Sequence, residues 1–179
     1  GIYTNANILI GLPGETKQDI EDTRQFLRTV DANWFIIFAA APLVGSEMHE
    51  ICESKGYLTE GYIGQDYKSA VVETEDFSAE YIQEQIYLLN LELNFVHNAD
   101  MRLGDYSSAL KGLLNAIRAK SDHAFAYYYA ARCFTQLGDH DRAAQYHARA
   151  VEFFAASTFW QRYRDHFGLV VEPAVALAA

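Results

Sequence analysis

Two stretches of this chain line up with one another. "LGDYSSALKGLLNAI" (Leu103 to Ile117) and "LGDHDRAAQYHARAV" (Leu137 to Val151) align at an offset of 34 residues, with Gly104 on Gly138. Under that offset Leu, Gly and Asp coincide, Ala109 meets Ala143, Ala116 meets Ala150, and Ile117 meets Val151. A repeat of this length leaves few folds open, because each copy is one supersecondary unit that buries its apolar face against its neighbours. Its residues describe paired helices. Gly104 and Gly138 can close one helix and let the chain reverse into the next. The alanines, seven apart within each copy, share a helix face where a partner helix must come close. Tyr127, Ala130, Ala131 and Phe134 give the helix between the copies its packing side.

The pattern resembles the tetratricopeptide class. "SDHAFAYYYAARCFTQLGDHDRAAQYHARAVEF" matches it well; the copy before it is partial, with His97 where a small residue is expected and Ser121 where proline is common. "ASTFWQRYRDHF" would then be a capping helix over the last apolar face. The resemblance implies a groove for a peptide or protein partner, with Tyr127 and Arg132 as its candidate residues. Tyr127, Tyr128 and Tyr129 are consecutive, so on a helix they point three ways.

The first sixty residues follow a different pattern. "ANILIG" (residues 6–11) is a short, nearly continuous apolar run, as in a parallel strand covered on both faces. "GLPG" turns. Thr16 caps a helix with Asp19 in a capping-box spacing, and Ile20, Phe26, Leu27 and Val30 supply its apolar side. "WFIIFAAAP" (residues 34–42) is a second strand, and "EMHEICESKGYL" a helix stopped near Gly56. The order strand, helix, strand, helix implies α/β architecture with a parallel sheet and right-handed crossovers. Residues 57–77 are rich in tyrosine and glycine and have little periodicity, with one short strand expected at Ser69 to Val72. From Ser78, an N-cap with Glu80 in the first turn, the pattern is helical to about residue 165, and "VVEPAVALAA" is a loose tail.

"GIYTNANILIGLPGET", then "FIIFAAAPLVGSEMHE" and "KGYL", resembles the C-terminal part of the radical S-adenosylmethionine barrel. The likeness is greatest to the group that often carries an N-terminal cobalamin-binding domain. Leu43 and Val44 depart from it, standing where the family tends to have an aromatic or polar residue and then proline. The resemblance implies a βαβα fragment of a partial TIM-type barrel. It implies that Ile10, Gly11, Leu12, Pro13 and Gly14 line the adenine side of the S-adenosylmethionine pocket, with Pro42 near the same mouth. Glycines there let backbone approach a flat ring or sugar, and the N–H groups opening the helix at Thr16 can meet a polar or anionic group.

Such an enzyme needs three cysteines to hold a [4Fe–4S] cluster. This sequence has Cys52 and Cys133 alone. The expectation is therefore a C-terminal piece of a longer enzyme that uses S-adenosylmethionine, a [4Fe–4S] cluster and, in its group, cobalamin, the piece being inactive by itself. The rival is a non-enzymatic interaction module of the tetratricopeptide type. The expected organisation is a barrel portion at 1–60, a connector at 61–77, a helical domain at 78–168 and a tail at 169–179. A barrel cut in mid-sheet exposes an edge strand, so a homodimer through that edge is expected.

With 14 Lys+Arg against 24 Asp+Glu the net charge is −10, which disfavours nucleic acid. No apolar run approaches the roughly 20 residues of a membrane helix. Two isolated thiols and the lack of a signal-peptide pattern point to a reducing cytoplasm. His140 and His147, seven apart, read as solvated side chains without a third ligand. Glu73, Glu75 and Asp76 read as acids before a helix start, and Trp34 and Trp160 as packing residues.

Overall fold

The computed structural model describes residues 2–60, 62 and 69–172. The chain divides into two compact units: Asn5–Val30 with Phe35–Asn90, here the α/β unit, and Gly1–Thr4 with Asp31–Trp34 and Leu91–Ala179, here the helical unit. The division falls inside the long helical stretch, at Asn90/Leu91, rather than at Ser78 where the composition changes.

In the α/β unit β1 (Asn5–Ile10) and β2 (Trp34–Ala39) form a two-stranded sheet. They run parallel, joined by α1 (Lys17–Leu27), and α2 (Glu47–Lys55) follows. Their ends are level, since the Ala40 N–H donates to the Ile10 carbonyl at 2.8 Å. Thr16 caps α1 as its spacing predicts, in a reciprocal box with Asp19. Ser46 caps α2, and Gly56, in the left-handed region, ends it. Ile10, Ile20, Phe35, Ile37 and Cys52 form the core. Phe26 does not join it. It is 66% exposed, and the buried residues of α1 are Ile20 and Leu27. The strand expected at Ser69 to Val72 reduces to a single antiparallel bridge between Leu58 and Val72. The expected connector at 61–77 falls partly outside the described residues. α3 (Ala79–Leu91) follows, and Ser78 Oγ accepts from the Tyr81 N–H at 3.2 Å.

The helical unit opens with a π-helical turn, Glu92–Val96, and α4 (Ala99–Arg102), followed by α5 (Tyr106–Ala119), α6 (Ala124–Gln136), α7 (His140–Ala156) and α8 (Thr158–His166). Consecutive helices pack from α4 to α8. The 34-residue sequence copy reappears as a hydrogen-bond copy. Gly104 (φ 79) and Gly138 (φ 78) end their helices in the left-handed conformation. Asp105 N–H bonds the Asp100 carbonyl at 2.8 Å, and Asp139 N–H bonds the Phe134 carbonyl at 2.9 Å. Each aspartate then caps the next helix, accepting from Ser108 N–H or Arg142 N–H at 3.0 Å. One Gly-Asp pair thus closes a helix and opens its successor. Ala109, Ala143 and Ala150 are buried as the repeat requires.

One expectation fails in this unit. His147 is buried, and its Nε2 lies 2.7 Å from the Glu172 carbonyl, which can only accept, so the proton sits on Nε2. The beginning of the expected loose tail is held by that bond and by the Tyr128 hydroxyl on the Val170 carbonyl at 3.4 Å; residues 173–179 lie outside the described residues. Tyr127 spends its ring against Tyr146 and Phe153, at 5.4 and 5.3 Å between centroids. Trp34 and Trp160 do pack. Trp34 meets Phe95 edge-on at 5.6 Å and fills the space where a Cβ on Gly112 would stand, 2.5 Å from its ring.

Candidate functional site

Two places fit the chemistry expected of a site: the corner after β1, and a cavity in the helical unit. Sheet pairing puts the Gly11–Gly14 turn and the Pro42 turn at the C-terminal ends of neighbouring parallel strands, the usual ligand side of such sheets. Gly11 (φ 83) and Gly14 (φ 95) both require the left-handed conformation. They differ in surroundings. A Cβ on Gly11 would stand 2.9 Å from the Ile82 side chain, whereas nothing lies within 4 Å of one on Gly14. Ile10 is wholly buried, Pro42 is buried and its carbonyl accepts from the Tyr62 hydroxyl, while Leu12 and Gly14 are exposed and Pro13 half-buried.

The backbone N–H groups that open α1 at Thr16 are those expected to meet a polar or anionic ligand. In the folded chain these and the N–H groups of the preceding corner serve side chains. The Glu15 carboxylate accepts from Gly11 N–H at 2.6 Å and Leu12 N–H at 2.8 Å, and Asp19 accepts from Thr16 N–H at 2.8 Å. Glu15 thus occupies the anion position of a small backbone nest. An acid three to four residues beyond a Gly-Leu pair is a local signal, and it could have been read in advance. At Asp19 the hydrogen bonds from Thr16 hold the carboxyl below its usual range.

The cavity has a volume of about 400 Å³ and lies wholly in the helical unit. Asn98, Met101 and Arg102 line it from the α4 region, Tyr106 from α5, and Tyr129 and Arg132 from α6. Of the two residues expected in a groove, Arg132 is here and Tyr127 is not. Tyr129, one residue of the tyrosine triplet, takes the place expected of Tyr127. It is 2% exposed, and burial raises its phenol above the ordinary range. Arg102 bridges to Asp31 at 2.9 Å. Asn98 is fixed, its Oδ1 accepting from Met101 N–H and its Nδ2 donating to the Asn94 carbonyl, both at 3.0 Å. Asp100 is also buried, with one oxygen accepting from Asn33 at 2.8 Å, and burial raises its carboxyl.

Both cysteines are fully buried, and burial pushes the Cys133 thiol up to about 12, so it stays protonated. Among the described residues no group of three or more His, Cys, Asp or Glu could hold a metal ion. No helix among them is long and apolar enough to cross a membrane. No family model matches the chain, and neither a curated protein nor a solved structure matches it.

Proposed function

We propose that this chain is the C-terminal part of a radical S-adenosylmethionine iron–sulfur enzyme, with the α/β unit as one wall of the S-adenosylmethionine pocket. The supporting observation is the pairing of β1 and β2. Two parallel strands end level, and they run in order into "GLPGET" and "APLVGS", each followed by a capped helix. On this reading β1 and β2 are late strands of a TIM-type barrel and Leu12, Pro13 and Gly14 meet the nucleoside. Ile10 and Pro42 support them from beneath, and Glu15 keeps the turn in shape. The cluster does not fit these residues, since two separated, buried, protonated thiols cannot supply three thiolates. Its cysteines, and any cobalamin site, belong on this reading to other parts of the parent polypeptide, and the chain alone has no activity.

The test is the parent open reading frame, expressed whole and reconstituted anaerobically with iron and sulfide. It should cleave S-adenosylmethionine to 5′-deoxyadenosine under reduction, and Gly14→Val should weaken cofactor binding. A frame without a cysteine triplet, or a reconstituted protein that makes no 5′-deoxyadenosine, overturns the proposal.

A second reading concerns the helical unit: a binding module of the tetratricopeptide kind. The matched corners at Gly104 and Gly138 and the cavity beside them favour it. A homodimer is proposed through the open edge of the short sheet. Leu9 and Phe38 are 48% and 39% exposed, a poor situation for parallel strands, which are normally covered on both faces. Light scattering that shows a monomer at high concentration rejects it.

A further inference from the structure

The cavity lined by Arg102 and Arg132 brings positive charge together in an acidic chain. The protein carries a net charge of −10, yet two arginines and no carboxylate line this space. Arg102 is engaged by Asp31. Arg132 has no carboxylate partner among the described residues; its guanidinium stands 5.7 Å from the centre of the Tyr129 ring and is exposed. The second observation is Tyr129 itself. Its side chain is almost completely buried, it lines the cavity, and its hydroxyl bonds to nothing among the described residues. Its oxygen is not one of the fully buried, unpartnered side-chain atoms of the described residues, so the hydroxyl opens into the cavity and can donate there. A free guanidinium and a free hydroxyl therefore bound the same cavity.

An acceptor that suits both is planar and negative. Guanidinium matches a carboxylate through two parallel N–H bonds, and a phenol adds a third donor. One available guanidinium in an acidic protein suits a monoanion better than a phosphate dianion, which the surrounding field repels. Val96, Met101 and the tyrosine ring add apolar surface, and the volume admits an organic body of several carbon atoms. We infer that this cavity takes an organic carboxylate, with its head between Arg132 and the Tyr129 hydroxyl and its apolar body against Val96 and Met101. The inference deepens the binding-module reading and rests on it.

Titration calorimetry on the whole chain tests it with two pairs of probes. One pair is N-acetylphenylalanine and its amide. The other is a capped pentapeptide with a central aspartate and its asparagine counterpart. In at least one pair the acid should bind about tenfold more tightly than the amide, the size expected of one charge-assisted contact. Arg132→Met, at an exposed position, should remove that preference. Tyr129→Phe should weaken the acid severalfold without lowering the melting temperature, because the lost hydroxyl has no partner in the protein. A preference shown by the small acid alone, by the peptide alone or by both supports the carboxylate and identifies its source. Equal binding of acid and amide, or an acid preference that survives Arg132→Met, overturns the carboxylate while leaving a binding cavity. No binding by any probe at millimolar concentration overturns the inference and the binding reading of this cavity together.

Discussion

The corner after β1 and the corners that open α5 and α7 use the same parts: a left-handed glycine, an acidic side chain and backbone N–H groups in need of acceptors. The parts are assembled differently. At Gly104-Asp105 and Gly138-Asp139 the acid serves the first turn of the helix it precedes, and the glycine has open space around it. At Gly11 the acid comes from four residues downstream, and Ile82 presses on the glycine from a helix about seventy residues away in sequence. The helical corners are local motifs and can therefore be duplicated along a chain. The β1 corner is held partly by tertiary packing, so it occurs once.

Substitutions can break this contrast. Gly11→Ala faces both left-handed strain and the Ile82 contact, and should cost about 3 kcal/mol in urea unfolding. Gly14→Ala faces strain alone and should cost about 1 kcal/mol. Equal losses would mean that Ile82 yields freely and the contrast is false.

The next effect compares caps within the helical unit. α5 and α7 are capped by aspartate, α6 by His123, whose Nδ1 accepts from Ala126 N–H at 3.2 Å. The His123 ring lies between Phe95 and Trp160, at 4.7 and 4.6 Å. Burial lowers it to about 4, with nearby Lys120 acting in the same direction and Asp122 against it. A histidine depressed in the folded state is protonated first in the unfolded chain. Stability is therefore intact above pH 6.5 and declines as pH falls toward 4, by about 3 kcal/mol in all. His123→Asn keeps a capping side chain and should flatten the pH–stability curve in that window. The aspartate caps respond lower. Hydrogen bonds from their own helices hold both carboxyls below the usual range, so their contribution persists until pH falls through those lowered values.

Smaller effects sharpen the duplication. Gly104→Ala and Gly138→Ala should each cost about 1 kcal/mol, and by the same amount, since neither has a neighbour within 4 Å. Asp105→Ala and Asp139→Ala should give the smallest losses, again matched, in thermal melts. A clear mismatch in either pair would show that the two copies only look alike.

Much of this was legible beforehand. The Thr16–Asp19 box, the stop at Gly56 and the duplicated corners are built from hydrogen bonds that each span at most six residues, so the partners sit in one window of sequence. The cavity was half legible. Arg132, expected as a groove residue, lines it together with Tyr129, whereas Tyr127 packs on Tyr146 and Phe153, because side-chain direction on a helix depends on which neighbour covers each face. Phe26 outside the core, His147 inside it, and Asn33 bonded to Asp100 across 67 residues had no local signal at all.

The amino-acid order alone settles where helices begin and end and that one corner is used twice, because backbone hydrogen bonds and glycine conformations are short-range. Packing decides the rest. Whether Gly11 has room around it, and whether a tyrosine faces a neighbour or an open cavity, depends on groups distant in sequence that meet only when the chain is folded.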